Sequence, residues 1–287
     1  MKKTDLQQGR DLLATPVLPL VSMVQFLFLT GPFATVAEVV DELPEPIETG
    51  HAVYAHPRRQ LGRYLELLRP LEGLKNGAPQ PCRVVDAEGA AVDAMTAVSS
   101  LVLQQVLAAE LEEINSLLCA PCGCTLCCTG PDRDMAQEFF EIPLREQETA
   151  LFAVQRHESA ELARHRAMDE EPVQVEGRPF YALGRSGLFH WQNGWSLILP
   201  RQERCPNLES SGRCRVYADR PLVCRRPQIF PYVLEPLKDD GGEGGAQRLR
   251  SALLAVVDCP YVGVLRDEIA AYGAACELDV IFRQNKS

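Results

Sequence analysis

The pattern of apolar and polar residues in the first 118 positions predicts helices, whose apolar residues recur at three- and four-residue steps along one face. Residues 17–29 predict a buried helix, because this apolar run is shorter than the roughly 20 residues that a membrane span needs. Residues 58–69 predict a second helix that ends before Pro70, which cannot donate a hydrogen bond to the preceding turn. The longest periodic segment, residues 90–118, predicts a third helix.

The pattern changes after residue 118. Helices are predicted over residues 134–168, with a break at Pro143, and over residues 262–282. Strands are predicted over residues 172–175, 180–183, 195–199 and 251–257, and the glycine-rich residues 239–245 predict a surface loop. We therefore predict an α+β protein with two regions, a helical N-terminal region at residues 1–118 and a small, cysteine-rich α+β domain at residues 119–287.

Composition narrows the functional classes. The chain has 287 residues, so it can bury a large core without a metal. Its formal net charge is −10, and we therefore expect no broad nucleic-acid interface, which needs a basic face. A local basic patch is compatible with this balance.

The eleven cysteines are the unusual feature of the composition. Whether they form disulfides or bind a metal depends on the compartment, because disulfides persist in oxidising environments. Asp5 and Asp11 lie where an export signal would carry a basic leader, and no clear cleavage site follows residues 17–29. An odd number of cysteines also fits a complete disulfide framework poorly. We therefore expect a cytoplasmic, reduced protein with no membrane span.

Most of the cysteines fall into two groups. Five lie within ten residues, with two-residue gaps that allow a tight loop to direct paired thiolates at one metal centre. A second group follows about eighty residues later. Cys82 and Cys276 stand alone, which is typical of small buried hydrophobic residues. The predicted metal ligands are Cys122, Cys124, Cys127, Cys128, Cys205, Cys214 and Cys224, with Cys119 and Cys259 as further candidates.

These cysteines and their neighbours resemble the YkgJ-like cysteine cluster family, whose members are described as zinc- or iron-chelating. Flagellin lysine-N-methylase has a similar cysteine pattern. The matching residues are Cys124, Cys127 and Cys128 in the first group, and Cys205, Gly212, Cys214, Val216, Tyr217, Arg220, Pro221, Cys224, Arg225 and Pro231 in the second. The first cysteine of the family pattern would fall on Pro121, and this chain has Cys119 and Cys122 on either side. The resemblance covers residues 119–260 and implies metal binding.

The spacing of the cysteines does not distinguish between the possible metals. Zinc and iron–sulfur clusters both use four thiolates, but the absence of histidine from either cysteine group favours a [4Fe–4S] cluster, with Zn²⁺ as the alternative. His190 is the histidine closest in sequence to the second group, and its aromatic neighbours favour a packed or surface position. Seven arginines surround the second group, and we expect them to balance an anionic centre or, alternatively, to bind an anionic substrate: Arg201, Arg204, Arg213, Arg215, Arg220, Arg225 and Arg226.

The sequence contains no phosphate-binding loop, zinc-protease motif or serine-hydrolase motif. We therefore predict a metal-binding protein with an iron–sulfur cluster. Two alternatives stay open: a structural zinc module that binds protein partners, and a cluster-dependent enzyme that modifies a protein, as the resemblance to the methylase implies. The aromatic residues of 180–195 predict a core beneath the metal site.

Overall fold

The computed structural model describes residues 4–225, 228–237 and 246–284. These residues form two compact units. Unit 1 comprises residues 4–121 together with the described part of 228–284, and unit 2 comprises residues 122–225. The predicted loop at residues 239–245 and the side chain of Arg226 lie outside the described residues. Residues 228–237 and 246–284 thus belong to the same compact unit as the N-terminal helices, whereas the sequence-based division assigns them to the second region.

The secondary structure is mixed, which confirms the predicted α+β class. The helices are α1 (Asp5–Ala14), α2 (Leu18–Thr30), α3 (Val36–Glu42), α4 (Pro57–Gly62), α5 (Leu65–Leu68), α6 (Pro70–Lys75), α7 (Ala94–Cys122), α8 (Leu222–Arg225), α9 (Pro260–Val264) and α10 (Arg266–Ala275). The strands are β1 (Ile47–Glu48), β2 (Val53–Tyr54), β3 (Val84–Val85), β4 (Phe139–Leu144), β5 (Arg156–His157), β6 (Gln174–Val175), β7 (Arg178–Pro179), β8 (Gly187–Trp191), β9 (Gly194–Pro200), β10 (Ile229–Pro236), β11 (Gln247–Val256) and β12 (Asp279–Arg283).

Unit 1 is built around helix α7. Val102, Val106 and Ile114 are fully buried, as the three- and four-residue spacing predicts. Strand β11 pairs with β10 in antiparallel and with β12 and β3 in parallel orientation, which completes a four-stranded sheet. The predicted helices at residues 17–29 and 90–118 are therefore confirmed as α2 and α7.

Helix α7 is also long and apolar enough, over Ala94–Cys119, to cross a membrane by length and composition alone. The bent pair of α1 and α2 passes this test only when the two helices are taken together. The burial of Val102, Val106 and Ile114 inside unit 1 is the property of a core helix. Among the described residues, this one marginal helix is weak evidence for a membrane span.

A buried polar network joins three helices of unit 1. The carboxylate of Glu110 on α7 accepts hydrogen bonds from the backbone N–H of Val17 (2.9 Å) and the hydroxyl of Tyr272 on α10 (2.6 Å). Burial raises the pKa of Glu110 to about 7, although both hydrogen bonds favour the charged form. One helical turn further, Asn115 donates to the carbonyl of Ile229 (2.7 Å) and accepts from the Tyr261 hydroxyl (2.6 Å).

Unit 2 contains a four-stranded sheet in the order β4-β9-β8-β5. Successive side chains of β9 point to opposite faces of the sheet, so Leu197 and Leu199 pack in one core while Ile198 packs in the other. The second core is aromatic and contains Phe180, Phe189 and Trp191, which confirms the predicted aromatic core. The indole N–H of Trp191 donates to Ser196 Oγ (2.8 Å), so this buried polar group is satisfied. This sheet supports the cysteine-bearing segments.

Several local predictions are wrong where long-range pairing overrides the local pattern. Residues 134–168 contain no α-helix: Phe139–Leu144 pairs with β9 as strand β4, and only two short 3₁₀ helices follow, Glu146–Leu151 and Leu162–Arg164. Residues 180–183 form a 3₁₀ turn that ends at Gly184, with φ of 72°, instead of a strand. The predicted C-terminal helix stops at Ala275, and residues 279–283 form β12 instead. The segment at residues 58–69 is helical but broken, and Pro70 begins α6.

Candidate metal centre

The first cysteine group begins on a helix. Helix α7 continues through Pro121 to Cys122, and Gly123, with φ of 64°, ends it in the left-handed conformation. The prediction of a loop throughout residues 119–128 is therefore wrong for its first part. Cys119 and Cys122 are three residues apart on this last turn, a spacing that places both on one helix face. Cys119 belongs to unit 1 and Cys122 to unit 2.

The segment after Gly123 pairs with the start of the second cysteine group. A 3₁₀ turn, Leu126–Cys128, is closed by a hydrogen bond from the Cys128 N–H to the Thr125 carbonyl (2.9 Å). The Cys128 carbonyl then accepts from the Cys205 N–H (2.8 Å), and Thr129 forms an antiparallel bridge with Arg204. Backbone hydrogen bonds thus hold two cysteines that are 77 positions apart in the sequence side by side.

Gly130 makes this close pairing sterically feasible. Its N–H donates to the Glu203 carbonyl (2.8 Å), and a Cβ atom at this position would lie 1.9 Å from the Pro200 carbonyl oxygen. No side chain larger than hydrogen fits there without a backbone shift.

Cys214 lies on a hairpin that follows Cys205. Leu208 and Cys214 form an antiparallel bridge, and the Arg215 N–H donates to the Asn207 carbonyl (2.8 Å). Gly212, with φ of 81°, makes the turn. The side chain of Asn207 donates to the Leu151 carbonyl (3.0 Å), which attaches the base of the hairpin to the sheet-containing part of unit 2.

Cys224 lies on the short helix α8, which Glu148 anchors. The Glu148 carboxylate accepts from the Leu222 N–H (2.8 Å) and, with its other oxygen, from the Arg145 N–H (2.8 Å). The side chain of Cys205 packs against the leucine core of unit 2. Sequence reasoning missed Glu148 and Asn207 as positioning residues. The acidic residue three positions after Arg145 is a capping signal that could have identified Glu148.

Six thiols of unit 2 act on one another electrostatically: Cys124, Cys127, Cys128, Cys205, Cys214 and Cys224. The Sγ atoms of Cys127 and Cys128 are 3.8 Å apart. A shared hydrogen bond lowers the pKa of Cys127 to about 7 and raises that of Cys128. Burial and then the neighbouring thiols raise the pKa of Cys224 to about 12, and burial raises that of Cys205.

This arrangement brings the two cysteine groups together but does not form a closed ligand shell. Among the residues that the structure describes, no set of three or more Cys, His, Asp or Glu side chains is placed so as to hold an ion. The donor chemistry nevertheless suits a soft metal, because the converging groups are thiols. Which thiols bind the metal stays a prediction.

The other cysteines differ in position. Cys259 is 3% exposed at the N-terminus of α9, and Cys276 is 5% exposed at the end of α10, both in unit 1. The prediction of a buried position is confirmed for Cys276, whereas Cys82 is only half-buried. All eleven cysteines lie within the described residues, and none of these eleven forms a disulfide.

His190 stands apart from the thiol group. Its ring stacks on Trp195 with 4.7 Å between ring centroids, and its Nδ1 lies 3.3 Å from the Glu158 carboxylate. This half-buried, packed position is the one that its aromatic neighbours predict.

Comparison with known proteins agrees with this cysteine arrangement. Residues 118–243 match the CxxCxxCC family model, which is described as a "putative zinc- or iron-chelating domain". The match confirms the resemblance to the cysteine cluster family and covers both main cysteine groups. No curated protein and no solved structure matches the chain. Residues 118–243 are therefore similar to a family of domains that is described as zinc- or iron-chelating.

Proposed function

We propose that unit 2 is a metal-binding module that holds a [4Fe–4S] cluster through cysteine thiolates. The observation that carries this proposal is the convergence of two distant cysteine segments, fixed by the hydrogen bond between Cys205 and Cys128. Neighbouring thiols and the charge of Arg220 act electrostatically on Cys127 and Cys224, so the local chemistry is that of sulfur donors beside a cation. Iron–sulfur clusters are typically held by four thiolates.

The six converging thiols exceed the four that one cluster requires. Cys127 and Cys128 are adjacent and share a hydrogen bond, so in a cluster-bound state one of them is expected to be a ligand and the other a neighbour. Cys205 pairs with the Cys128 segment, Cys214 lies on the hairpin that Asn207 anchors, and Cys224 lies on the helix that Glu148 anchors, which supports the use of all three as ligands. When bound, a cluster of this kind supplies one-electron redox chemistry.

Zinc is the second candidate, and one distance favours it. Four sulfurs at a Zn–S distance of about 2.3 Å in a tetrahedron lie about 3.8 Å from each other. The distance between the Cys127 and Cys128 sulfur atoms is 3.8 Å, which matches one edge of this tetrahedron. A zinc module would be structural, since four thiolates leave no open coordination position.

Purification without oxygen, followed by measurement of iron, acid-labile sulfide and zinc per chain, tests the proposal. We expect a brown protein with broad visible absorption and roughly four irons and four sulfides per chain. A colourless protein with stoichiometric zinc would establish the second candidate instead. A chain that retains neither metal after anaerobic purification and reconstitution would refute metal binding altogether.

We also propose that the protein is cytoplasmic and that it acts with a protein partner or on a protein substrate, as the cysteine pattern and the methylase-like resemblance imply. Calorimetry with S-adenosylmethionine tests the methylase-like alternative. A lack of binding would remove that alternative without affecting the proposal of a metal centre.

A further inference from the structure

Strand β12 is an open edge of the sheet in unit 1. It pairs with β11 in a continuous parallel register from Asp279 to Arg283, and no second strand pairs with it among the described residues. The Val257 N–H donates to the Arg283 carbonyl (3.0 Å), so the backbone groups of Arg283 face β11. Because backbone groups alternate between the two sides of a strand, those of Val280 and Phe282 face away from β11.

The opposite edge of this sheet, strand β10, is covered by side chains of α7. Gln104 accepts a hydrogen bond from the Val233 N–H (3.0 Å) and donates one to the Pro231 carbonyl (3.3 Å). Asn115 accepts from the Ile229 N–H (3.2 Å). The register of β10 is also irregular, which further blunts an edge. An edge without such protection is a template for another strand.

Strand β12 lacks this protection. Its five residues include no proline and no lysine, and its register with β11 has no bulge. Exposed and half-buried residues alternate along it, and Ile281 at its centre is 44% exposed. In the part of the chain that the structure describes, no side chain forms a hydrogen bond with the backbone of Val280 or Phe282. The outward backbone groups of β12 can therefore accept a further strand.

The sequence of β12 is complementary to itself in antiparallel orientation. Asp279 and Arg283 carry opposite charges and lie at equal distances on either side of Ile281. Side chains two positions apart lie on the same face, and for these three residues it is the exposed face. If two copies run antiparallel about a two-fold axis at Ile281, Asp279 of each copy lies opposite Arg283 of the other. The same register makes Val280 and Phe282 a hydrogen-bonded pair, so the charges and the backbone favour one register.

We propose that β12 is a homodimer interface, in which a second copy of this chain adds its own β12 antiparallel to the first. Opposite charges directly across two strands stabilise their pairing, whereas like charges destabilise it. The interface uses the same surface on both copies and closes on itself, so it protects both open edges at once. A single strand pair is smaller than a standard interface, and we therefore expect a dissociation constant above about 1 μM.

Charge reversal at the ends of β12 tests this register. Asp279→Arg and Arg283→Asp each place like charges opposite one another at both ends of the strand pair. The double variant, Asp279→Arg with Arg283→Asp, restores opposite charges across the axis. Asp41→Arg is the matched control, because it makes the same charge change at an exposed position on α3. Sedimentation equilibrium of the full chain, under reducing conditions that prevent disulfides between copies, measures the dissociation constant.

We expect the wild-type chain to form dimers and each single variant to weaken self-association at least about tenfold, because each loses two opposite-charge pairs and gains two like-charge pairs. The double variant and Asp41→Arg are expected to remain within about threefold of wild type. An equimolar mixture of the two single variants should also associate like wild type, because Asp279→Arg and Arg283→Asp complement each other in this register.

Three results would overturn the proposal. The first is a wild-type chain that stays monomeric up to about 1 mM, which would leave the edge to a strand of another protein. The second is dimerisation that neither single variant weakens, which would place the interface elsewhere. The third is a double variant as weak as the single variants, because the charges would then not face each other across a two-fold axis.

Circular dichroism shows whether each variant folds. If a single variant does not fold, Ile281→Lys replaces it, because two like charges would then lie directly opposite each other at the axis. Association of this variant at least about tenfold weaker than wild type supports the interface, and unchanged association refutes it. Every variant leaves the thiols of unit 2 unaltered, so failure of this inference leaves the proposed function intact.

Discussion

Replacing the buried carboxyl group of Glu110 by the neutral amide of glutamine should remove a pH dependence from the stability of unit 1. Burial raises the pKa of Glu110 from 4.5 to about 7. The side chain is 2% exposed, and this burial outweighs the opposing effect of the hydrogen bonds that its oxygens accept from Val17 and Tyr272. The carboxyl group is therefore expected to bind its proton more tightly in the folded than in the unfolded chain.

The direction of this pH dependence follows from the linkage between proton binding and folding. A carboxyl group whose pKa is raised on folding adds most stability when it is protonated in both states, below about pH 4.5. That contribution declines as the pH rises and is lost above the folded pKa of about 7. Since each pKa unit corresponds to about 1.4 kcal/mol, the loss between about pH 4.5 and pH 8 is about 3 kcal/mol.

The groups that act on Glu110 or feel its charge come from several elements: Arg63, Tyr54, Tyr64, Glu113, Tyr272 and Cys276. The tyrosine and cysteine pKa values in this set are raised, so these groups stay neutral over the tested range. The Glu113 carboxylate is paired with the Arg63 guanidinium. The change in stability over this range is therefore assigned to Glu110 itself.

Urea unfolding followed by circular dichroism from pH 4.5 to pH 8 measures this effect. The difference in unfolding free energy between wild type and Glu110→Gln should change by about 3 kcal/mol across this range. Glu42→Gln, at an exposed position on α3, is the control and should leave the pH profile unchanged. Parallel profiles for wild type and Glu110→Gln would show that the carboxyl group has the same pKa in both states.

Three further predictions concern unit 2. Gly130→Ala should lower the unfolding free energy by about 1–3 kcal/mol, because its Cβ would lie 1.9 Å from the Pro200 carbonyl oxygen. Chemical denaturation measures this loss, and an unchanged midpoint would contradict the close approach. Gly212→Ala should lower the unfolding free energy by a smaller amount, about 1–2 kcal/mol, because the alanine would adopt a strained φ of 81° but its Cβ would meet no atom closer than 3.8 Å. Equal losses of unfolding free energy in the two variants would refute the steric argument at Gly130. Cys205→Ser should lose most of the bound metal in elemental analysis while Cys82→Ser keeps it, and equal metal content would exclude Cys205 as a ligand.

Features that depend on local pattern can be predicted from the amino-acid sequence. The apolar spacing along residues 90–118 is enough to specify helix α7, because a helix satisfies its own backbone and needs only one apolar face to pack. The spacing of the cysteines likewise indicates metal chemistry, since so many thiols within ten residues cannot all be core residues. The aromatic residues around Trp191 predicted a core for the same reason, their large apolar area.

Features that depend on distant partners are set by long-range contacts in the fold. Residues 139–144 become strand β4 because β9, more than fifty positions later, supplies the hydrogen bonds, and no local signal contains that information. The contact between Cys128 and Cys205 depends on the same kind of pairing, and on a glycine at position 130 that lets the backbones approach. The burial of Arg220, among many arginines of similar sequence context, is also set by the fold. The spacing of cysteines along the chain identifies the candidate sulfur ligands, but long-range backbone pairing determines which of them lie close together.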